Sequence, residues 1–352
     1  MTEFQNWLDH PVATINSTSQ QAAIEHQQQL TKPAGSLGQL ETIAIQLAGL
    51  QATAKPSVDN VQITVFAGDH GVVDEGISAF PQAVTAEMVH NFSRGGAAIS
   101  VLARETATSL SVVNTGTVTE LEKLEQVKDK RIAAGTANFM NKPAMTLAQC
   151  QQALLIGRDV IEEAKNANMQ LFIGGEMGIG NTSSATAIAS ALLNLAPEKL
   201  AGPGTGLNAE GVQHKAHVIK RSLELHQSQL NSPLSVLQHV GGFEIAALVG
   251  AYLHCAKLGL PVLIDGFITS VAALVAQKIS PESSQWFLFS HQSAEPGHQL
   301  ILAELKAQPL LNINMRLGEA SGAAVVLPLI KLSCALHNSM ATFAEAAVSQ
   351  ES

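Results

Sequence analysis

Aromatic and charged side chains are scarce in this sequence. Aromatic residues make up 4% of its 352 residues and charged residues 14%, whereas hydrophobic residues make up 46%. Alanine and the aliphatic side chains therefore have to fill the interior. The chain is longer than a single hydrophobic core usually supports, so we expect one large domain with a smaller one attached.

Cysteine and positive charge are also in short supply. Cys150, Cys255 and Cys334 lie far apart without metal or redox spacing, which is typical of a reducing compartment. A formal charge of −9 and a pI near 5.7 give no basic surface for nucleic acid or anionic lipid. The first residues contain no apolar signal-peptide core, and the uncharged run 320–330 is too short to cross a bilayer. We therefore expect a cytoplasmic protein with no nucleic-acid or membrane partner.

Several common catalytic motifs are missing. The sequence has no GxSxG elbow and no Walker GxxxxGK[ST], and "GPGTGL" (202–207) lacks the preceding strand and the acidic residue of a dinucleotide site. Asp69–His70 has no second cluster with ligand spacing, so we interpret it as a structural pair. His291 and His298 are interpreted in the same way. No metal site is predicted.

Five short apolar segments, rich in β-branched residues, have the pattern of buried strands. Long Ala/Leu-rich stretches with helical spacing lie between them, for example 147–166 and 244–257. This alternation predicts an α/β fold, a doubly wound three-layer sandwich with a mostly parallel sheet. The five strand segments are 61–71, 109–116, 169–180, 260–270 and 285–297.

Both chain ends have a helical pattern instead. Residues 20–51 predict two helices around a Pro/Gly elbow, with Ser36 as an N-cap, and the last thirty residues also predict helix. We therefore expect both ends to form a small helical domain. The predicted division is 1–55 for its N-terminal part, 56–315 for the α/β domain, and 316–352 for an active-site loop followed by the remaining helices.

Glycine-rich, small-residue segments open three of the predicted helices. They are "RGGAAISVL" (94–102), "GEMGIGNTSSATAIAS" (175–190) and "GEASGAAVVL" (318–327). A helix start presents backbone N–H groups and the positive end of the helix dipole, which together favour anions. Three such starts in one α/β chain indicate a phosphate-bearing ligand.

Polar residues follow nearly every predicted strand. Ligands of open parallel sheets bind beyond the carboxyl ends of the strands, so these residues as a set predict an active-site rim. Any one of them taken alone could equally be a turn or cap residue. The set comprises Asp69, His70, Asn114, Glu176, Asn181, Asp265, His291 and Glu295.

Two glutamates lie in glycine-rich surroundings, Glu176 in "GGEMGIGN" and Glu319 in "RLGEASGA". A carboxylate beside small and apolar residues tends to a raised pKa through desolvation, which suits a general base. A salt bridge from Glu319 to Arg316, or a helix-capping role, is an equally good interpretation of the sequence at this point.

Nine sequence blocks, in consistent order from about residue 30 to 330, resemble the nicotinate-nucleotide:dimethylbenzimidazole phosphoribosyltransferase family. The ensemble is far more specific than any single glycine motif. The blocks are "KPAGSLGQLE" (32–41), "FAGDHGVVDEGISAFPQAVTAEMVHNF" (66–92), "GTANF" (135–139), "GGEMGIGNT" (174–182), "GPGTGL" (202–207), "GGFEIAALVGAYL" (241–253), "PVLIDGFITS" (261–270), "SHQSAEPGH" (290–298) and "MRLGEASGA" (315–323).

The resemblance implies a reaction in which the phosphoribosyl group of nicotinate mononucleotide passes to 5,6-dimethylbenzimidazole. The products are nicotinate and α-ribazole 5′-phosphate, the nucleotide of the lower ligand of cobalamin. It also implies a homodimer and no metal or redox cofactor. Glu319 takes the place of the family's catalytic base, and Glu176 is a secondary catalytic candidate.

On this basis we expect the nucleotide phosphate on the backbone amides of 178–181 and 318–322, with Lys215 as counter-charge. The residues predicted to bind phosphate or ribose are Gly178, Ile179, Gly180, Asn181, Thr182, Lys215, Ser293, Gly318, Ser321 and Gly322. The residues predicted to form the pocket for the aromatic base are Phe80, Glu87, Met88 and Leu317.

The sequence departs from the family pattern at three places. Ala320–Ser321–Gly322 replaces the usual Gly-Thr-Gly, Glu87 replaces a common glutamine, and Asn114 a common aspartate. Other functions compatible with the sequence are a hydrolase of nucleotide N-glycosidic bonds and a catalytically silent nucleotide-binding protein. An NAD-dependent dehydrogenase is disfavoured by the missing fingerprint.

Overall fold

A six-stranded sheet, parallel throughout, forms the centre of the computed structural model, which describes residues 3–349. Its strands are β1 Val61–Gly68, β2 Ser109–Gly116, β3 Val127–Asp129, β4 Leu171–Met177, β5 Val262–Ile264 and β6 Phe287–Phe289. They lie in the order β3-β2-β1-β4-β5-β6, with every neighbouring pair parallel. The order reverses between β1 and β4, the point at which open α/β sheets place their ligands.

All five predicted strands are present, although β5 and β6 occupy only three residues of their predicted segments. The glycine-rich and polar residues that follow them belong to loops and helix starts. Sequence reasoning missed β3, an edge strand of three residues, "VKD", that is half-buried at best. Such a segment has neither an apolar run nor an alternation long enough to detect.

Fourteen α-helices lie in the described part of the chain. The first seven are α1 Glu3–Leu8, α2 Ser17–Gln29, α3 Gln39–Leu50, α4 Ala83–Ser93, α5 Ala98–Glu105, α6 Leu147–Asn166 and α7 Asn181–Leu193. The others are α8 Ala209–His226, α9 Pro233–Val240, α10 Phe243–Leu258, α11 Phe267–Ile279, α12 His298–Glu304, α13 Ser321–Ser339 and α14 Phe343–Ala346. Three 3₁₀ segments, Gly71–Glu75, Pro197–Lys199 and Pro281–Trp286, complete the regular structure.

Helices cover both faces of the sheet, so the α/β sandwich fold is confirmed. Helices α6, α7, α10 and α11 share one apolar cluster with Phe66 and Phe172 of the strands. Helices α3, α4, α5 and α13 share a second cluster with Ile63 and Ile173. Successive side chains of a strand point to opposite faces, so β1 and β4 contribute to both clusters.

The two chain ends pack against each other. Residues Leu30 and Thr342 form an antiparallel bridge, and the Nε2 of Gln27 lies 2.8 Å from the Nδ1 of His337. Helices α3 and α13 also belong to the apolar cluster of the sheet, so the predicted division at 55/56 and 315/316 stays a prediction. The predicted N-cap Ser36 is wrong: α3 begins later, after Gly38 at φ 56°. Glycine tolerates this backbone conformation, whereas serine would not adopt it without strain.

Helix α13 is the one described helix whose length and composition would allow it to cross a membrane. Of its most apolar window, 56% is buried within the molecule, against α3, α5 and β4. This is what the core helix of an α/β protein looks like, since a helix buried on most sides is apolar on most sides.

Candidate active site

A cavity of about 490 Å³ opens at the carboxyl ends of β4, β5 and β6. Its size suits a small-molecule site. The segments that follow these strands form the walls, together with residues 316–319 before α13, Phe80 from one loop, and Gly204 and Thr205 from another. The lining residues are Phe80, Glu176, Met177, Gly178, Ile179, Asn181, Thr182, Gly204, Thr205, Asp265, Gly266, Phe267, Ile268, Thr269, His291, Ser293, Glu295, Arg316, Leu317, Gly318 and Glu319.

Glu319 is a buried carboxylate in the cavity wall, 5% exposed. Burial raises its pKa, and a hydrogen bond from the backbone of Ile99, at the start of α5, opposes this. Within residues 3–349 its Oε2 has no hydrogen-bond partner, and no ion pair joins Glu319 to Arg316. The carboxylate thus lines the cavity with one oxygen that is buried and has no hydrogen-bond partner among the described residues, an arrangement that suits proton transfer.

Three consecutive residues at this point have positive φ: Gly318 at 86°, Glu319 at 63° and Ala320 at 68°. Non-glycine residues in the left-handed region cost about 1–2 kcal/mol each. A glycine would carry no such cost at position 320, where this chain has an alanine. Backbone strain of this kind is found where a catalytic side chain must be held in one direction.

Glu176 differs from Glu319 in its surroundings. Burial raises its pKa well above the ordinary value, and the charges of Glu244, Asp265 and Glu319 raise it further. Its Oε2 accepts a hydrogen bond from the side-chain amide of Asn181, the first residue of α7. The two glutamates therefore line one cavity with different tendencies: Glu176 favours its protonated form more strongly than Glu319 does.

Asp265 follows β5 and points at the start of α13. Its Oδ1 accepts the N–H of Ala323 at 2.7 Å, and the backbones of Ala320, Gly322 and Gly266 also donate to this carboxylate. Burial nevertheless raises its pKa to about 7. Two of the five amides of the predicted phosphate segment 318–322, those of Ala320 and Gly322, are thus engaged by the protein's own carboxylate. That this segment receives the nucleotide phosphate stays a prediction.

Among the described residues no carboxylate accepts the backbone N–H groups at the start of α7; Glu176 of β4 bonds the side chain of Asn181 instead. Gly178, Ile179, Asn181 and Thr182 line the cavity, and Gly180 forms the left-handed N-cap of the helix at φ 97°. A cation lies next to it: the Nζ of Lys215 donates to the Oγ1 of Thr182 at 3.2 Å. This helix start combines backbone donors with a positive charge, as an anion site requires.

Lys215 is 2% exposed, an unusual position for an ammonium group. It also donates to the carbonyl of Gly202 at 3.1 Å, and burial lowers its pKa to about 8, against the charge of Glu295. The pKa of Glu295 is raised by burial, and Lys215 and Arg316 oppose the increase. These opposite charges keep a buried cation beside α7.

His291 lines the cavity, and the ring of His298 packs against that of His291. Burial lowers the pKa of His291 to about 4 and that of His298 to about 3, so both rings are neutral at neutral pH. His298 accepts the backbone N–H of Ser293 at 2.8 Å and contacts Ser270 at 2.9 Å. The His291 ring packs on Gly322, where a Cβ would come within 2.1 Å of it. Both histidines thus support the walls, and Ser293 lines the cavity.

The four residues predicted for the aromatic pocket separate into two pairs. Phe80 and Leu317 line the cavity and are 46% and 57% exposed, so apolar surface is available at its mouth. Glu87 and Met88 lie on α4 outside the lining; Glu87 is exposed, and Met88 packs against the second apolar cluster. The structure does not bring this second pair to the cavity.

The predicted rim is only partly assembled. Glu176, Asn181, Asp265, His291 and Glu295 line the cavity. Residues at the ends of β1 and β2 do not. Asn114, for example, donates to Asp129 at 2.9 Å and accepts the N–H of Gly116 and of Thr117, as a turn residue does.

Asp69 and His70 are satisfied by different partners. Asp69 accepts from Thr85 at 2.6 Å and from the N–H of Val118 at 2.8 Å. His70 lies 2.7 Å from Glu244 and 2.8 Å from Ser184. Among residues 3–349, no group of three or more His, Cys, Asp or Glu side chains could hold a metal ion.

Sequence reasoning left several lining residues without a role. Asp265 and Glu295 were on the predicted rim, but nothing in the sequence shows which helix start or cation each one faces. Gly204 and Thr205 belong to the "GPGTGL" block, and Phe267–Thr269 belong to "PVLIDGFITS". Their place in blocks that resemble the family was the feature of the sequence that could have indicated a role at the site.

The fold and the cavity define an α/β enzyme with a buried carboxylate and a glycine-rich helix start in one cavity wall. A family model described as "Phosphoribosyltransferase" matches residues 12–348. The chain belongs to this phosphoribosyltransferase family, which confirms the resemblance found in the sequence.

Similar proteins carry a more specific name. Two relatives named nicotinate-nucleotide–dimethylbenzimidazole phosphoribosyltransferase come from Pseudomonas putida, 58% identical over 98% of both chains, and Pseudomonas fluorescens, 59% identical over 97% of both. The crystal structure of CobT from Thermus thermophilus superposes with a TM-score of 0.91 at 40% identity, covering 95% of this chain and 100% of that one. A second structure from the same organism, titled as this phosphoribosyltransferase, gives a TM-score of 0.90 at 40% identity, covering 96% and 100%.

Proposed function

We propose that this enzyme transfers the 5-phosphoribosyl group of nicotinate mononucleotide to 5,6-dimethylbenzimidazole, forming nicotinate and the α-ribazole 5′-phosphate of the cobalamin lower ligand. One observation carries the proposal: Glu319 lines the cavity with an unpartnered Oε2, and the same cavity includes the start of α7. The names of the relatives, at up to 59% identity over nearly the whole chain, supply the substrates.

The chemistry requires a base at this place. One ring nitrogen of the benzimidazole attacks C1′ of the ribose while the bond from C1′ to nicotinate breaks, and positive charge develops on the sugar as in glycoside cleavage. The other ring nitrogen must lose its proton. The carboxylate of Glu319 takes that proton, and its negative charge stabilises the cationic transition state.

The phosphate belongs at the start of α7 in this proposal. Lys215 supplies the counter-charge beside Thr182, and the helix dipole adds to it. The start of α13 is not assigned the phosphate, because Asp265 already accepts hydrogen bonds from three of its backbone amides. A phosphate held away from the reacting carbon provides binding energy and orientation for the transfer.

The aromatic acceptor fits the apolar mouth of the cavity. Phe80 and Leu317 are partly exposed there, and an aromatic ring would cover them. Leu317 is two residues from Glu319, which keeps the acceptor close to the base. Glu87 and Met88 have no part in this placement, because neither lines the cavity.

The homodimer and the cytoplasmic location belong to the proposal as well. Cys150, Cys255 and Cys334 are all free and buried, which agrees with a reducing compartment. Size-exclusion chromatography with light scattering would establish the oligomeric state.

Chromatography of reaction products tests the function. The protein is incubated with nicotinate mononucleotide, with and without 5,6-dimethylbenzimidazole, and nicotinate and α-ribazole phosphate are quantified. We expect both products only when the base is present, in equal amounts. Nicotinate released without the base would identify a hydrolase instead, and no turnover under either condition would contradict the proposal.

A further inference from the structure

Thr85 joins two elements beneath the start of α7. It is fully buried on α4, and its hydroxyl donates to the Oδ1 of Asp69 at 2.6 Å. The same oxygen accepts the backbone N–H of Ile179 at 3.1 Å. The chain of hydrogen bonds therefore runs from the end of β1, through one side chain, to the loop in front of α7.

The charge of Asp69 strengthens this connection. Its carboxylate is 1% exposed and is held on its other side by the N–H of Val118 at 2.8 Å. A hydroxyl that donates to a carboxylate becomes a better acceptor, since linked hydrogen bonds polarise one another. The N–H of Ile179 is therefore directed firmly at Thr85.

The loop has little other freedom on this side. A Cβ at Gly178 would lie 2.2 Å from the carbonyl of Gly68, and one at Gly180 would lie 3.1 Å from the Cβ of His70. His70 is held in turn by Glu244 and by Ser184 of α7. Neither Asp69 nor His70 lines the cavity. Instead, the pair supports the loop in front of α7 from below, His70 through its packing at Gly180 and Asp69 through Thr85.

Thr85 does not line the cavity, although Ile179 does. Any influence of Thr85 on a bound molecule must therefore pass through the loop. We propose that Thr85 is a positioning residue for the nucleotide: its bond to Ile179 fixes the direction of the amides at the start of α7 that receive the phosphate. This inference rests on the proposed function, because it assigns the phosphate to that helix start.

The test compares Thr85→Val, which keeps the shape and removes both hydrogen bonds, with Thr85→Ser, which keeps the hydroxyl. Thr64→Val is the matched control. Thr64 is equally buried and its hydroxyl lies 3.1 Å from Ser111, but it is on β1 away from the cavity. Thr85→Ala replaces the valine variant if valine prevents folding.

Two measurements are made on each variant. Amide hydrogen exchange follows the peptide that contains residues 177–182 in the free protein, and steady-state kinetics gives KM for nicotinate mononucleotide and for the benzimidazole. For Thr85→Val we expect the amide exchange rate and the KM for the nucleotide each to increase roughly 3- to 10-fold. This factor corresponds to the net free energy of one lost hydrogen bond. The benzimidazole KM and kcat should stay within about twofold, because only uniform nucleotide binding is lost.

Thr85→Ser should restore both quantities, and Thr64→Val should change neither. Equal increases in the two KM values, or the same changes in Thr64→Val, would show a general loss of stability and overturn the inference. Unchanged exchange and nucleotide KM in Thr85→Val would overturn it as well, while leaving the proposed function intact. A wild-type protein that turns over no nucleotide would instead remove the proposed function and this inference with it.

Discussion

The starts of α7 and α13 have similar sequences and different environments. Both follow glycine-rich segments, and both begin with a non-helical residue in the left-handed region, Gly180 and Ala320. At α13 a buried carboxylate, Asp265, accepts the backbone N–H groups. At α7 the carboxylate of Glu176 bonds only the side chain of Asn181, and a buried cation, Lys215, lies beside Thr182. One helix start is therefore filled by the protein, and the other suits an anionic ligand.

The third glycine-rich helix start resembles that of α13. The backbone of Ile99, in the first turn of α5, donates to the carboxylate of Glu319. A helix N-terminus attracts negative charge whatever its source. A glycine-rich segment thus predicts an anion, but the anion can be a ligand's phosphate, a supporting aspartate or the glutamate proposed as the catalytic base.

Replacing Glu319 should have the largest effect, because it removes the one carboxylate with a free buried oxygen in the cavity. We expect Glu319→Gln to lower kcat roughly 10²–10⁴-fold, the usual cost of a lost general base. Nicotinate mononucleotide should still bind, as titration calorimetry would show. Glu304→Gln, at a surface ion pair with Lys278, is the control. Full activity of Glu319→Gln would mean that Glu319 only caps α5.

Removing the cation should weaken nucleotide binding specifically. We expect Lys215→Met to raise the KM for nicotinate mononucleotide roughly 10- to 100-fold, the range for a hydrogen bond to a charged group, with a smaller change in kcat. An unchanged KM would place the phosphate elsewhere, and the contrast between α7 and α13 would then lose its functional meaning.

The same lysine should give the enzyme a pH dependence. Burial lowers the pKa of Lys215 to about 8, so the ammonium is charged below this pH and loses its proton above it. We expect kcat/KM for the nucleotide to fall as the pH rises through about 8 in the wild type, and this limb to be absent in Lys215→Met. A decrease in kcat/KM with the same midpoint in both proteins would assign the titration to another group.

At α13 the corresponding change should affect stability. Asp265→Ala leaves the buried amides of Ala320, Gly322 and Ala323 without their acceptor. We expect the free energy of unfolding to fall by about 1–3 kcal/mol, measured by urea denaturation. Asp159→Ala, an exposed carboxylate on α6, is the control and should change little. No loss in Asp265→Ala would mean that the amides are not held by this side chain.

The smallest effect concerns the alanine at the head of α13. Ala320 has φ 68°, so Ala320→Gly relieves left-handed strain while it adds freedom to the unfolded chain. We expect a net gain of about 0.5–1 kcal/mol in the free energy of unfolding. Ala323→Gly changes an alanine in the first turn of α13 that is not in the left-handed region, and should instead lose about 1 kcal/mol. Destabilisation by both glycines would show that Ala320 is unstrained.

Much of this protein could be predicted from the sequence. Five strands, the long helices 147–166 and 243–258, and the position of Glu176 and Glu319 at a strand end and a helix start follow from local patterns. These patterns are readable because burial imposes a period of about 2 on strands and about 3.6 on helices within a few residues. The family followed from blocks of sequence that keep their order over most of the chain.

Only the tertiary structure decided which group faces each helix start. The bond between Asp265 and Ala323 joins residues 58 positions apart, and Glu319 meets a helix start that lies early in the chain. The short strand β3, the exclusion of Glu87 and Met88 from the cavity, and the Thr85 connection to Ile179 are of the same kind. Each depends on contacts between distant segments, and a local pattern contains no information about its distant partner.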